Sequence, residues 1–157
     1  MRRVGVMAGA LVAAVSAAVV VFSGGAGAAS TTVKIVGADK FVPNSQVAST
    51  FHYVPGTISV HSGSTAQWQN TTSDPHTVTI VKPGQVPSNI NQVFNCKVCA
   101  SQAPTASVGG AGLDAPGDSL FIKPHGSVSA PVTAKAGTTL HYICIFHPWM
   151  QGVIKVT

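Results

Sequence analysis

Three side chains that can bind a soft metal ion occur at three-residue intervals near the C-terminus. They are the thiol of Cys144, the imidazole of His147 and the thioether of Met150. A second imidazole has to come from elsewhere in the chain, and His76, which follows Pro75, is the candidate. Two imidazoles, a thiolate and a weakly bound thioether are the ligands of copper sites that transfer single electrons. The sequence therefore predicts that these four side chains bind one copper ion.

Strands must bring these side chains to one point. The alternating segment 138–144 predicts a strand that ends at Cys144, and a short turn after it can place the next two ligands around the thiol. Pro148 restricts the backbone of that turn and removes a hydrogen-bond donor. His76 begins a second predicted strand, 76–81. A stiff turn between two strands suits electron transfer, because the ligands then move little when the ion changes its charge.

Residues 140–150 resemble the copper loop of the cupredoxins, the blue-copper family that includes plastocyanin, and in loop length they are most similar to amicyanin and pseudoazurin. Residues 53–70 resemble the same family, with an aromatic-x-Pro motif, a short apolar strand, a Gly turn and a Trp-containing strand before His76. The resemblance covers roughly residues 53–81 and 120–157. It implies a cupredoxin-like fold, one type 1 copper and one-electron transfer by Cu(I)/Cu(II) cycling, with no enzymatic activity.

Four residues next to the predicted ligands are expected to support the site. Thr77 follows the first histidine and is expected to hydrogen-bond the facing ligand loop. Phe146, Pro148 and Trp149 flank His147 and are expected to form an apolar collar where its ring reaches the surface. A small apolar patch of this kind suits transient redox protein partners.

Short β-branched or alternating segments predict an all-β fold, an antiparallel Greek-key sandwich or barrel. The predicted strands are 30–36, 56–61, 65–69, 76–81, 120–123, 127–134, 138–144 and 152–157. Residues 37–52 are expected to be irregular, because Gly37, Pro43 and Asn44 interrupt them. The remaining histidines are expected to lie on the surface or along a strand, outside the metal site; they are His52, His61, His125 and His141.

A long inserted loop, residues 82–119, separates the first predicted ligand from the other three. A strand or a helical turn is expected within it, around 90–94. Cys96 and Cys99 are expected to form a disulfide in an oxidising compartment. The pair could instead bind a second soft metal or act as a redox dithiol.

The first 29 residues are predicted to be a signal peptide. Arg2 and Arg3 precede an apolar run, 4–22, which is followed by small residues that fit a cleavage site after 28 or 29. Cleavage leaves one copper-binding domain, residues 30–157, in the extracellular space, the cell envelope or a periplasm. An uncleaved anchor is the competing interpretation, and it would hold the protein at a membrane.

Net charge and histidine spacing reduce the number of possible functions. The predicted mature chain has seven lysines and four aspartates, a net charge of 7 − 4 = +3, and its lysines are scattered, which excludes a nucleic-acid-binding surface. No His-x-His pair of the kind used by catalytic copper sites occurs. The sequence favours an electron carrier; storage or delivery of Cu(I), a domain of a copper oxidase or nitrite reductase, and a zinc-binding structural domain are the alternatives.

Overall fold

The computed structural model describes residues 31–101 and 112–157. The predicted signal peptide, residues 1–29, lies outside the described residues, as does the segment 102–111 of the predicted insertion. No helix in the two described ranges is long and apolar enough to cross a bilayer. The strands are, in chain order, β1 Thr31–Val36, β2 Asp39–Val42, β3 Gln46–Ser49, β4 His52–Val54, β5 Thr57–Val60, β6 Thr65–Asn70, β7 His76–Val81, β8 Ser119–Ile122, β9 Ser127–Pro131, β10 Thr139–Ile143 and β11 Gln151–Val156.

Two sheets pack face to face around one apolar core. The first has the strand order β4-β1-β6-β9 and the second the order β5-β11-β10-β7-β8. Side chains that alternate along the strands fill the space between them, and Ile35, Trp68, Tyr142 and Ile154 are fully buried there. This arrangement confirms the predicted all-β sandwich.

Two strand pairings differ from the expected antiparallel pattern. β1 pairs with β6, and β5 pairs with β11, in parallel, whereas the other pairings are antiparallel. Parallel neighbours need a long crossover, and in both pairs the two strands are separated by several other strands along the chain. Local sequence patterns identify strands but do not carry this information about which strands become neighbours.

The prediction that residues 37–52 are irregular is wrong. β2 and β3 form an antiparallel hairpin in which Phe41 faces Val47, and β4 begins at His52. Asn44 adopts a positive φ of 58°, and Ser45 N–H donates to Val42 O at 3.1 Å, which closes the turn. Pro43 and Asn44, two of the three residues expected to interrupt this segment, therefore form the tight turn of a hairpin.

The insertion contains two short helices, α1 Ile90–Phe94 and α2 Lys97–Ser101, after a single 3₁₀ turn. The first is the helical turn expected at this place, and the Asn89 side chain caps it by accepting a hydrogen bond from Gln92 N–H at 3.0 Å. The second helix was not expected. Cys96 and Cys99 are joined by a disulfide.

The end of the insertion returns to the core. Leu113 is fully buried and pairs with Val132 in an isolated parallel bridge. Asp118 accepts hydrogen bonds from the backbone N–H groups of Asp114 and Ala115, both at 2.9 Å, and so closes the turn that leads into β8. The described part of residues 82–119 is thus only partly a surface loop.

Candidate metal centre

The pairing of β7 with β10 determines where the predicted ligands lie. Tyr142 faces Ile80 and Ile143 faces Thr79 in this antiparallel register. Continued by three positions, the same register leads from Cys144 and the residues after it to the start of β7, where His76 lies. Neighbouring strands therefore bring together residues that are far apart in the sequence.

The loop between β10 and β11, residues 144–150, is closed by its own backbone. Cys144 N–H donates to Met150 O at 3.1 Å, and Met150 N–H donates to His147 O at 2.8 Å. Met150 itself is buried, with 1% of its surface exposed. These two bonds hold the three predicted ligands of the loop on a single short turn.

Three potential ligand atoms converge at this loop. The Sγ of Cys144 lies 3.7 Å from Nδ1 of His76 and 3.7 Å from Nδ1 of His147, and the two Nδ1 atoms are 3.1 Å apart. In the described part of the chain this is the one group of at least three histidine, cysteine or acidic side chains close enough to share an ion. The structure thus brings together three of the four predicted ligands around one point, with the buried Met150 on the same loop.

The size of this triangle fits a metal ion. The circle through the three atoms has a radius of about 2.0 Å, close to the roughly 2.0–2.3 Å of metal–imidazole and metal–thiolate bonds. Two nitrogens and a sulfur in this arrangement match the trigonal set that copper accepts in either oxidation state. The donor atoms and their spacing therefore fit copper without a rearrangement of the backbone.

Burial keeps both imidazoles uncharged. Burial, followed by the charge of His147, lowers the pKa of His76 from 6.5 to about 4. Burial also lowers the pKa of His147 and raises the pKa of the Cys144 thiol. At neutral pH the two rings are therefore neutral, as metal ligands must be, and the thiol keeps a proton that a metal ion would displace.

Thr77 connects the two strands that carry the ligands. Its backbone N–H points at Cys144 Sγ at 3.4 Å, and its hydroxyl oxygen accepts a hydrogen bond from Ile145 N–H at 3.0 Å. The contact between Thr77 and the facing ligand loop, which the sequence predicts, is present. The N–H···S contact favours the thiolate over the thiol, because it stabilises negative charge on the sulfur.

Sequence reasoning missed two residues that contact the imidazoles, Phe51 and Thr72. Phe51 is buried against both rings, with its ring centre 4.9 Å from that of His76 and 4.9 Å from that of His147. The Oγ1 of Thr72 lies 2.9 Å from Nε2 of His76. Phe51 lies in the segment 37–52, which the sequence predicts to be irregular. Asn70-x-Thr72, just before Pro-His, is an Asx-turn pattern and is a signal that could have identified Thr72.

The predicted apolar collar is only partly exposed. Phe146 and Trp149 are 39% and 40% exposed, and the Trp149 ring centre lies 5.2 Å from that of the half-buried His147. Pro148 differs from the expectation, because it is buried and does not form part of the outer surface. Phe121, on β8, packs edge-on against Phe146 and extends the apolar surface.

The other histidines lie outside this cluster. His52, His61 and His125 are exposed, and His141 is half-buried on β10. The Nδ1 atoms of His52 and His61 contact Thr50 O and Thr157 Oγ1, respectively. Their placement agrees with their expected positions on the surface or along a strand.

Comparison with known proteins gives distant structural likenesses. No protein-family model and no curated protein sequence matches this chain. Among solved structures, it is similar to a point mutant of amicyanin in the Cu(I) form, with 18% identity over 82% of each chain and a TM-score of 0.46. It is also similar to a purple cupredoxin from Nitrosopumilus maritimus, with 18% identity over 81% of this chain and 99% of that one and a TM-score of 0.48. Amicyanin from Paracoccus versutus gives 17% identity over 82% and 81% of the two chains, with a TM-score of 0.46.

Proposed function

We propose that this protein binds one copper ion and carries single electrons between partner proteins as a type 1, or blue, copper protein. The convergence of His76 Nδ1, Cys144 Sγ and His147 Nδ1 within 3.7 Å of one another carries this proposal. One of the three atoms comes from the first residue of β7 and two from the loop after the adjacent strand β10, and all three belong to buried or half-buried residues.

Four side chains would hold the ion. The two imidazoles and the thiolate of Cys144 would supply two nitrogen ligands and one sulfur ligand, and Met150, buried on the same loop, would be the weak fourth ligand. Bound copper would supply a site that gains or loses one electron by changing between Cu(I) and Cu(II). We assign no catalytic residue and propose that the protein is not an enzyme, because these side chains serve only to hold the ion.

The surrounding residues keep the ligands in place and exclude water. The loop is closed by Cys144 N–H to Met150 O, and Thr77 ties it to β7. Phe51 packs against both imidazole rings. Ligands held in this way before and after a change of charge need little reorganisation, which favours rapid electron transfer.

His147 is the proposed route for the electron. Its ring is half-buried, and the exposed rings of Phe146 and Trp149 lie on either side of it in the sequence. We propose that transient redox proteins dock on this apolar surface, since small apolar contacts release quickly. Scattered lysines would contribute little orientation to such an encounter.

We also propose that the protein is exported after removal of residues 1–29 and acts in the extracellular space, the cell envelope or a periplasm. The Cys96–Cys99 disulfide supports this location, because disulfides persist in oxidising compartments. If residues 1–29 remain attached, the same domain would work at a membrane surface.

Titration of the purified metal-free protein with copper(II) tests the metal assignment. We expect one equivalent to produce an intense thiolate-to-copper charge-transfer band in the visible range, and Cys144→Ser to abolish it. Wild-type protein that binds copper and stays colourless would contradict the assignment. Voltammetry separates the two functions of such a site: a reversible one-electron wave supports a carrier, and its absence in a coloured protein favours storage or delivery of copper(I).

A further inference from the structure

Two buried polar residues lie behind the imidazole of His76, on the side away from Cys144. Asn70, the last residue of β6, is 2% exposed, and Thr72 is 6% exposed. The Thr72 Oγ1 lies 2.8 Å from Asn70 Oδ1 and 2.9 Å from His76 Nε2. An amide, a hydroxyl and an imidazole thus form one hydrogen-bonded chain that ends at a predicted ligand.

The contacts of Asn70 fix the orientation of its amide. The Nδ2 group faces two carbonyl oxygens, of Asp74 at 2.7 Å and of Lys123 at 3.1 Å, which can only accept hydrogen bonds. The opposite atom, Oδ1, faces the backbone N–H of Thr72 at 2.9 Å. A flipped amide would place acceptor against acceptor and donor against donor, so Oδ1 must point at Thr72.

The direction of the next two hydrogen bonds follows from this orientation. A hydroxyl has one hydrogen, and the Thr72 hydroxyl gives it to a carbonyl-type oxygen, either Asn70 Oδ1 at 2.8 Å or Asp74 O at 3.3 Å. Its lone pairs then remain for donors, and two donors face them: the backbone N–H of Asp74 at 3.3 Å and the Nε2–H of His76 at 2.9 Å. A neutral imidazole with its proton on Nε2 has a bare lone pair on Nδ1, the atom that faces Cys144.

We propose that Asn70 and Thr72 are positioning residues that hold His76 in its Nε2–H tautomer, with Nδ1 free to bind a metal ion before any ion arrives. The inference deepens the proposed function, since it concerns how the same site is prepared. Without the Thr72 hydroxyl, Nε2 would lose its acceptor, and a proton on Nδ1 could donate to His147 Nδ1 or Cys144 Sγ instead. An incoming ion would then have to displace that proton first.

The ¹⁵N chemical shifts of the His76 ring nitrogens in the metal-free protein, measured near pH 8, test the inference directly. We expect wild-type protein to show the Nε2–H tautomer. Thr72→Val, which keeps the shape of the side chain and removes the hydroxyl, should shift the population toward Nδ1–H, and Thr72→Ser should restore it. Thr71→Val is the matched control, because the exposed Thr71 hydroxyl binds Ile35 O and not the imidazole.

Copper affinity provides the second measurement. Loss of a hydrogen bond that orients a metal-binding histidine lowers affinity by about 10–100-fold, so Thr72→Val should weaken copper binding by this factor and Thr71→Val should not. An Nδ1–H tautomer in wild-type protein, or identical tautomers and affinities in Thr72→Val and Thr71→Val, would overturn the inference. If Thr72→Val does not fold, the wild-type and Thr72→Ser spectra still show whether His76 is in the Nε2–H tautomer. Copper bound without a charge-transfer band would instead refute the proposed function and leave the tautomer result standing.

Discussion

At the scale of single residues, Thr77 connects β7 both to the ligand loop and to Tyr53. Its N–H faces Cys144 Sγ, its hydroxyl accepts from Ile145 N–H, and its carbonyl accepts from the Tyr53 hydroxyl. Thr79 donates a further hydrogen bond to the Thr77 hydroxyl at 3.1 Å. Because every polar group of Thr77 is used, changes there should affect both folding and the metal site.

Thr77→Val should therefore destabilise the metal-free protein. The change leaves the buried Ile145 N–H without its acceptor, and an unpaired buried donor costs about 1–3 kcal/mol. Urea denaturation measures the loss. Thr139→Val, at an exposed position of β10, is the control and should change stability by less than about 0.5 kcal/mol. Equal effects of the two changes would show that the Thr77 hydroxyl does not support the loop.

The stability of the metal-free protein should also depend on pH in a defined direction. In the folded protein, burial lowers the pKa of His76 to about 4, from the value of 6.5 that is usual for histidine. Between these values the unfolded chain binds a proton that the folded chain does not, so stability falls as the pH falls from 6.5 toward 4. Denaturation at a series of pH values measures this slope, and His76→Gln should make it shallower. If the dependence of stability on pH is the same with and without His76, burial does not lower the pKa of His76 to about 4.

The sequence pointed to the side chains of the cluster but not to the residues that pack around them. Cys144, His147 and Met150 are recognisable because they are close together on one turn, and the Pro-His pair marks His76. Phe51 contacts the same imidazoles from a distant part of the chain, and only the folded sandwich brings it there. Contacts of this kind depend on tertiary structure and leave no local pattern.

At the scale of elements, the adjacent strands β7 and β10 and the loop after β10 form the site. Phe51, just before β4, fills the space behind the two imidazoles and is 2% exposed. The hairpin β2–β3 differs from the irregular segment that the sequence predicts. Pro43 and Asn44 interrupt the sequence pattern, but in the structure they form the turn between two paired strands. Around 90–94 the sequence left a strand or a helical turn open, and the structure has the helix Ile90–Phe94 with Asn89 as its cap.

Phe51→Ala should destabilise the protein strongly and disturb the metal site. Removing a buried aromatic side chain costs about 3–5 kcal/mol, because it loses contacts and leaves a cavity next to both histidines. Phe41→Ala is the matched control: Phe41 is 72% exposed on the hairpin, and its loss should cost less than about 1 kcal/mol. Chemical denaturation of both variants gives the comparison. A similar loss in both would mean that Phe51 is not part of the packing around the site.

At the scale of the whole molecule, Cys144 and Met150 belong to the apolar core of the sandwich. Aromatic rings pack edge-on within that core, Tyr53 against Tyr142 at 4.9 Å and Tyr142 against Trp68 at 6.0 Å. The two-sheet sandwich followed from the frequency of short alternating strands. The two parallel pairings of the sandwich could not be predicted in this way, because a strand's neighbours depend on long crossovers rather than on its own residues.

Copper should stabilise this whole fold. An ion that binds only the folded chain adds about 2.7 kcal/mol when its concentration is about 100 times its dissociation constant. Thermal unfolding with and without copper(I) should show a higher Tm for the loaded protein, and a chelator should reverse the change. Cys144→Ser should lose most of the increase. An equal increase in wild-type and Cys144→Ser protein would place the bound copper elsewhere.

X-ray absorption at the copper edge tests the central claim most directly, because it reports the atoms bound to the ion. For protein loaded with one equivalent, the expected result is two imidazole nitrogens and one short copper–sulfur bond, with the sulfur signal lost in Cys144→Ser and one imidazole lost in His76→Gln. A first shell of nitrogen and oxygen alone, unchanged by either substitution, would contradict the assignment of this site.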